Sequence, residues 1–375
     1  MQISQKTNAD FVTGYTLNLC KIHISVVPYN QKIRKREIDM AQNRVRIADV
    51  ADALGLSTAT VSKVIHGKTE KISDETVKRV QQELERSGYI PNMAGILLAR
   101  NNSRIIGVVV NDNEKYEGRV LEDGFVMSSL NALSHEVNEK GYFLMIKTTS
   151  DISEIPVFAS MWNMDGLILM GFCEADYEKL RNQMRISFVV YDGYFEKCSK
   201  VVNLVINHYD GGYQAGEYLK ELGHKKALCI ADNFICMDKE RIEGFSKAFG
   251  SQETLRWEIP KTEKERMCFY EDKYRELIKN NVTAVFAVSD FYALEFMRFL
   301  QGKGIQIPKD IQIIGFDDNL ASRESNPALT TIHQEAPLRA KTAIKCLEKM
   351  RDGAECETEI VLPVELIKRE STRKL

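Results

Sequence analysis

From Ile105 onward the chain alternates strand-length apolar runs with segments of helical period, and that alternation leaves few folds open. The runs fall at 105–110, 166–170, 188–191, 227–230, 284–288 and 311–316, with helical segments such as 126–140, 212–222, 241–249 and 292–303 between them. A run that is apolar at every position, rather than at every second one, is buried on both faces of its sheet. Helices spaced between such runs mark β-α-β units and parallel sheets. The span 104–375 is large for one such sheet and comfortable for two lobes.

In open parallel sheets, ligands sit beyond the carboxyl ends of the strands. Asp192 ends the run 188–191, Asp290 follows 284–288, and Asp317 follows 311–316, so each is expected to present a carboxylate to one cleft. Arg241, read as opening a helix, offers a fork of donors. Acceptors plus one guanidinium suit a polyhydroxylated ligand such as a sugar, because each hydroxyl both donates and accepts. A single Asp at such a place is as readily a loop turn or a helix cap; three in equivalent places favour the shared cleft.

Residues 45–100 are helical instead. Ile47, Val50, Ala51 and Leu54 lie on one face of a short helix that Gly55 can end. Ser57 is an N-cap for a second helix, 58–65, with Val61 and Val64 or Ile65 inward. A third begins at the Ser73 cap, carries Asp74 and Glu75 where the helix dipole favours acids, and buries Val77, Val80 and Leu84. Two helices on a tight glycine-containing turn, braced by a third, make a helix-turn-helix. Any three-helix bundle needs the same stripe. The exposed positions of the second helix favour DNA, because Thr58, Ala59, Ser62 and Lys63 are small or basic, with no acid among them.

Charge agrees with that division. Residues 1–100 carry five more cations than anions, whereas 101–375 carry seven more anions than cations. Any phosphate contact must therefore come from the basic end. Residues 1–43 show no sustained period and carry Lys32, Arg34, Lys35 and Arg36. They are read as an extension outside the native fold, with Met40 as the translation start; a DNA-binding arm is the competing reading. No secretory signal and no apolar stretch of membrane-spanning length stands out, so a cytoplasmic protein without membrane contact is expected. The eight cysteines form no C-x-x-C pair and read as reduced thiols. No nucleophile elbow, phosphate loop, metal spacing or nucleotide fingerprint is found, so neither enzymatic activity, a metal nor a cofactor is expected.

The run from Ile47 to Gly67, with its Asp-Val-Ala and Val-Ser-Lys elements, resembles the head of the lactose- and galactose-repressor family of bacterial regulators. The similarity continues through Gly88-Tyr-Ile-Pro-Asn92 and over nearly all of 45–372. Signposts in the second part are Asp165-Gly-Leu-Ile-Leu-Met170, Gly211, Leu222-Gly-His224, Arg241 with Gly244-Phe245, Ser289-Asp290, Gly315-Phe-Asp-Asp318 and Pro327-Ala-Leu-Thr-Thr-Ile332. The resemblance implies an all-α helix-turn-helix head plus an α/β two-lobed periplasmic-binding-protein-like sensor. The domains are then an extension 1–43, a head 44–90, a hinge helix and linker 91–103, and a ligand-binding and dimerisation domain 104–375.

For the head, the resemblance implies that Thr58, Ala59 and Lys63 sit in the major groove, while Ser57, Thr60 and Ser62 serve phosphates or helix geometry. Lys63 stands where the family commonly has Arg, and His66 where it commonly has Asn. For the hinge it implies that Asn92 leads into a helix, 93–100, whose Leu98 wedges into the central base step. Gly95 there replaces the usual alanine, at a cost of about 1 kcal/mol of helix propensity. In the sensor it adds Ser289 to Asp192, Arg241, Asp290 and Asp317 as ligand-binding residues. The family's Ser-x-Pro-Phe stretch after the first strand is absent, and Asn111-Asp-Asn-Glu-Lys-Tyr116 stands in its place. The expected protein is a homodimeric transcriptional repressor of a pseudo-palindromic operator, controlled by a small molecule, with carbohydrate the expected class. A protein co-repressor is a further candidate partner. A transport solute-binding protein is the alternative, disfavoured by the helical head.

Overall fold

The computed structural model describes residues 45–90, 103–172, 180, 183–193 and 201–375. The expected extension 1–43 and the hinge segment with Asn92 and Leu98 lie outside them. The chain divides into two compact units, 1–95 and 96–375.

The first unit holds α1 (Ile47–Leu54), α2 (Thr58–Ile65) and α3 (Asp74–Ser87), and α2 has the limits its caps dictate. Gly55 takes the left-handed conformation (φ 66°) that ends α1, and the Ser57 hydroxyl accepts from the Thr60 amide at 3.1 Å to start α2. Ser73 caps α3 in the same way. Val50, Ala51, Val61, Val64 and Val80 form the buried centre, packed around by Leu54, Ile65, Val77 and Leu84.

The second unit contains two six-stranded sheets. The first lobe has β1 (Ile105–Val110), β2 (Phe143–Thr148), β3 (Gly166–Met170), β4 (Phe188–Tyr191), β5 (Val201–Ile206) and β11 (Glu359–Leu362), in the order β11-β5-β4-β3-β1-β2. The second has β6 (Ala227–Ala231), β7 (Thr254–Glu258), β8 (Ala284–Ala287), β9 (Gln312–Asp317), β10 (Thr330–Gln334) and β12 (Val364–Ile367), in the order β12-β10-β9-β8-β6-β7. All pairings are parallel except β10 with β12. The helices flanking them are α4 (Gly124–Glu139) and α5 (Glu154–Met161), then α6 (His208–Glu221), α7 (Cys236–Phe249) and α8 (Glu263–Lys279), then α9 (Asp290–Gly302), α10 (Leu320–Glu324) and α11 (Ala336–Arg351). The chain crosses between lobes three times: after β5, after β10, and between β11 and β12.

Helix α7 begins five residues before the expected start, so Arg241 lies in its second turn rather than opening it. The polar run from Asp238 to Arg241 masks the helical period but is helix-competent. What sets the position of α7 is contact with α6. A Cβ at Gly212 would collide with the backbone carbonyl of Arg241, and one at Gly244 with that of Tyr209. Glycine at both places lets the two backbones touch and aims Arg241 inward. Gly244→Ala is therefore expected to destabilise the protein by roughly 3 kcal/mol, the upper end for overpacking. Gly302→Ala, where an added Cβ meets nothing within 4 Å, should instead stabilise by about 1 kcal/mol. Thermal melts of the two variants check both signs.

Candidate functional site

On α2, Ser57, Thr58, Ala59 and Lys63 are exposed, and Thr60, Ser62 and His66 half-buried. The Thr60 hydroxyl is hydrogen-bonded to that of Ser57 at 2.9 Å, which ties both to helix geometry. Thr58, Ala59 and Lys63 are left as a free face, bounded by the buried Val61 and Val64. Such a face meets the steric demand of a groove: small side chains at the tip, a cation on the flank.

In the second unit a cavity of about 160 Å³ lies where the carboxyl ends of both sheets converge. Asn111 follows β1, Gly171 follows β3, Tyr191 and Asp192 end β4, Asp232 follows β6, Ser289 follows β8, Asp317 ends β9 and Gln334 ends β10, and all line it. Of the five expected ligand residues, Asp192, Arg241, Ser289 and Asp317 are brought together there. Asp290 is not. It opens α9 with its carboxylate turned into the lobe, accepting from the Thr331 hydroxyl and from the Asn319 amide at 3.1 Å. Burial pushes its pKa up to about 6. The expectation that it faces the cleft is corrected: a carboxylate at a helix start is satisfied by its own lobe. Ser289 also has a local role, since its hydroxyl accepts from the Tyr292 amide at 3.4 Å.

Asp192 reaches the cavity with its charge already engaged. Its Oδ1 accepts from His208 Nε2 at 2.9 Å and lies 2.7 Å from Arg339 Nη2. His208 Nδ1 accepts from Arg241 Nε at 3.2 Å, so the ring is the Nε2–H tautomer. Arg339 Nη1 donates to Gln334 Oε1 at 3.1 Å, and Gln334 Nε2 donates to Asp317 Oδ1 at 2.7 Å. A hydrogen-bonded chain thus joins Arg241, His208, Asp192, Arg339, Gln334 and Asp317, tying both lobes beside two of the three crossovers. Burial raises the Asp192 pKa, but the Arg339 and His208 partners outweigh it and hold the carboxyl well below its usual range. Burial drives His208 down to about 4, with Asp192 opposing. Arg241 is held over the Phe316 ring, 3.6 Å from its centroid, and bonds the Val288 carbonyl.

The backbone at this site is unusual: Asp192 (φ 55°), Cys236 (φ 46°) and Asp317 (φ 128°) are all non-glycine residues at positive φ, a conformation that concentrates at ligand sites. Lys115 and Tyr116 come from the stretch 111–116 that replaces the absent family motif, so that stretch does supply an aromatic ring. Asp123, the N-cap of α4, and Asp232 are lining residues the sequence reading missed. Asp232 follows a strand just as the three expected Asp residues do, and the same positional rule applied to β6 finds it. No group of three or more side chains suited to a metal occurs among the described residues.

A larger, more open recess of about 980 Å³ adjoins this cavity along α4, α9 and α10. Its apolar Met127, Phe291 and Leu320 are exposed.

Comparisons agree with both units. Residues 46–92 match the model for bacterial regulatory proteins of the lacI family, and 217–372 that for a periplasmic binding protein-like domain. The HTH-type transcriptional repressor PurR of Vibrio atlanticus (strain LGP32) is 30% identical over 346 residues, covering 88% of this chain and 99% of that protein. Among solved structures, the lac repressor dimer bound to operator and the anti-inducer ONPF is similar at a TM-score of 0.73 and 23% identity, covering 88% of this chain and 99% of that one. The complex of the transcriptional regulator CelR with cellobiose is similar at a TM-score of 0.62 and 23% identity, covering 88% and 100%.

His208 yields a pH prediction. Its native pKa of about 4 lies below the ordinary 6.5, so between those values the unfolded chain binds the proton and the native one does not. The stability it contributes is full above pH 6.5 and is lost as pH falls toward 4. The melting-temperature advantage of wild type over His208→Gln should therefore shrink across that window and be constant above it.

Proposed function

The chain belongs to the lacI family of bacterial regulatory proteins, and from that premise we propose how this member works. It is a DNA-binding transcriptional repressor whose operator affinity is controlled by a small molecule. The reading face of α2 enters the major groove with Thr58, Ala59 and Lys63 toward base edges, and Ser57, Thr60, Ser62 and His66 at the backbone or in support of the helix. Asn92 and Leu98 belong to a hinge helix that pairs with its copy in the minor groove. The domain limits 44–90, 91–103 and 104–375 follow from this division of labour. Exposed Met127, Phe291 and Leu320 beside the recess support a homodimer formed through the sensor. Its place of work is the cytoplasm, where its operator DNA lies; among the described residues no helix is long and apolar enough to cross a membrane.

The effector is a carbohydrate or a carbohydrate derivative, bound by Asp192, Arg241, Ser289 and Asp317. The observation that carries this reading is the small cavity at the strand ends of both lobes, walled by acceptors, one guanidinium and aromatic rings. It falls well below the ~300–1,000 Å³ of drug-sized pockets, which suits a monosaccharide. Relatives support the class, since the neighbour CelR is complexed with cellobiose.

Selection from random duplex DNA with the full chain, with and without a pool of monosaccharides, tests this. A pseudo-palindrome with a deformable central step is expected, with enrichment changed by the pool and lost on Leu98→Ala. No enriched sequence in either condition would sink the DNA reading. On the selected operator, Lys63→Arg should gain about 1 kcal/mol of discrimination at one base pair, because guanidinium grips guanine bidentately and ammonium does not. Titrations against single-base operator variants measure it.

A further inference from the structure

Five carboxylates (Asp123, Asp192, Asp232, Asp238 and Asp317) wall the cavity, against two cations, Lys115 and Arg241. Most of these charges are accounted for. Asp192 is held by His208 and Arg339, Asp317 accepts from Gln334, and Asp123 accepts from the Phe125 and Val126 amides. Lys115 lies 4.0 Å from Asp232 and packs over the rings of Tyr116 and Tyr292. Asp238 is different. It is buried, accepts one hydrogen bond, from Asn233 Nδ2 at 3.0 Å, and forms no ion pair among the described residues. The same Asn233 amide is shared with Asp232 at 3.1 Å. Arg241 and Lys115 act on it only from beyond ion-pair distance, and a buried carboxylate without a direct partner is costly.

A second observation is independent of the acids. Two rings walling the cavity, Tyr191 and Tyr292, end in buried hydroxyls that have no hydrogen-bond partner among the described residues. Buried polar groups are seldom left unpaired, and a group left so at a cavity wall points to an occupant that both donates and accepts.

We propose that the effector carries a protonated amine together with its hydroxyls, an amino sugar of monosaccharide size, with the ammonium set against Asp238 and Asp232 and hydroxyls reaching Tyr191 and Tyr292. The inference rests on the reading of this cavity as the effector site. It excludes anionic sugars, which would bring a further negative charge to an acidic wall.

The environment of Asp238 agrees: burial pushes it up to about 6, with Asp232 adding to that, while Arg241, Lys115 and the Asn233 hydrogen bond oppose it. A carboxyl whose pKa is raised from 3.8 to about 6 in the native state contributes its full stability below pH 3.8 and has lost it once pH has risen through about 6. At pH 7.5 the ligand-free protein therefore holds a strained charge, as binding sites commonly do at the expense of stability.

The test is calorimetric titration and thermal melting of the full chain at pH 7.5. The probes are glucosamine, galactosamine and mannosamine, each beside its parent hexose, with glucuronate and galacturonate. At least one amino sugar should bind ten or more times tighter than its parent. Asp238→Asn should bring that ratio to within about threefold while raising the melting temperature of the ligand-free protein. A parent sugar or uronate bound as tightly as its amine, an absence of binding by all eight compounds, or a ligand-free melting temperature lowered by Asp238→Asn would each overturn the proposal. The two layers separate in one further variant. If a neutral sugar binds and Arg241→Ala abolishes it, the effector cavity stands and only its charge preference falls. If a ligand binds and Arg241→Ala leaves its affinity unchanged, the cavity is not the effector site and both readings fall.

Discussion

The sensor depends on one buried contact, the Asp192 carboxylate gripped by His208 and Arg339. Asp192 ends β4 in the first lobe, His208 opens α6 just after the first crossover, and Arg339 lies in α11 just after the second. Each of these groups is unfavourable to bury alone, and together they satisfy one another. Removing one partner from such a cluster strands the others and costs about 3–5 kcal/mol, far more than the intact cluster need contribute to folding. Its value is therefore geometric: it fixes where two crossovers run, and so where the strand ends of the two lobes face each other. Arg241 and Gln334 extend it to Asp317, so that the cavity wall and the link between lobes are one hydrogen-bonded structure.

Backbone packing supplies what that polar chain lacks in rigidity. The α6–α7 contact admits only glycine at 212 and 244, and α7 carries both Arg241 and Asp238. The same close approach that aims the guanidinium at His208 brings the Asp238 carboxylate to the cavity wall. Moving α7 outward by the width of a methyl group would relax the steric clash and also detach both charges from their places.

The central strands were legible because they are buried on both faces: β1, β3 and β4 have the limits their apolar runs define. The edge strand β7 was not, since the exposed Arg256 and Glu258 break its apolar run, and the short apolar runs of the edge strands β2 (143–146) and β11 (360–362) are only partly buried. In β5, Asn203 interrupts an otherwise apolar segment, and in β10 the buried Thr330 and Thr331 look polar until their hydroxyls find Thr372 and Asp290. The site was half legible for a related reason. The rule that ligands meet strand ends located Asp192 and Asp317, but it cannot say which carboxylates are already satisfied. Asp290 obeys the rule and turns away, while Asp238, one turn into a helix, violates it and faces the cavity. His208 and Arg339 carry no local signal at all, because their partner is a crossover away.

These features bear on how a ligand reaches the DNA. A small molecule shifts an equilibrium only by the difference in its affinity for the two states, and moving a two-state population from 1:99 to 99:1 takes about 5.5 kcal/mol of such difference. A ligand held by one lobe gains nothing from a change in the angle between lobes. This cavity is walled by Tyr116 and Tyr191 from the first lobe and by Asp232, Asp238, Arg241 and Tyr292 from the second. Contacts to one set alone survive a change in the angle between the lobes, so the differential energy is the part gained only when both sets engage the ligand together. An occupant that pairs with Asp238 adds a charge contact to that difference, in a site where water screens it little. It does so in the cavity that Arg241 and Asp192, two members of the chain tying the lobes, also line.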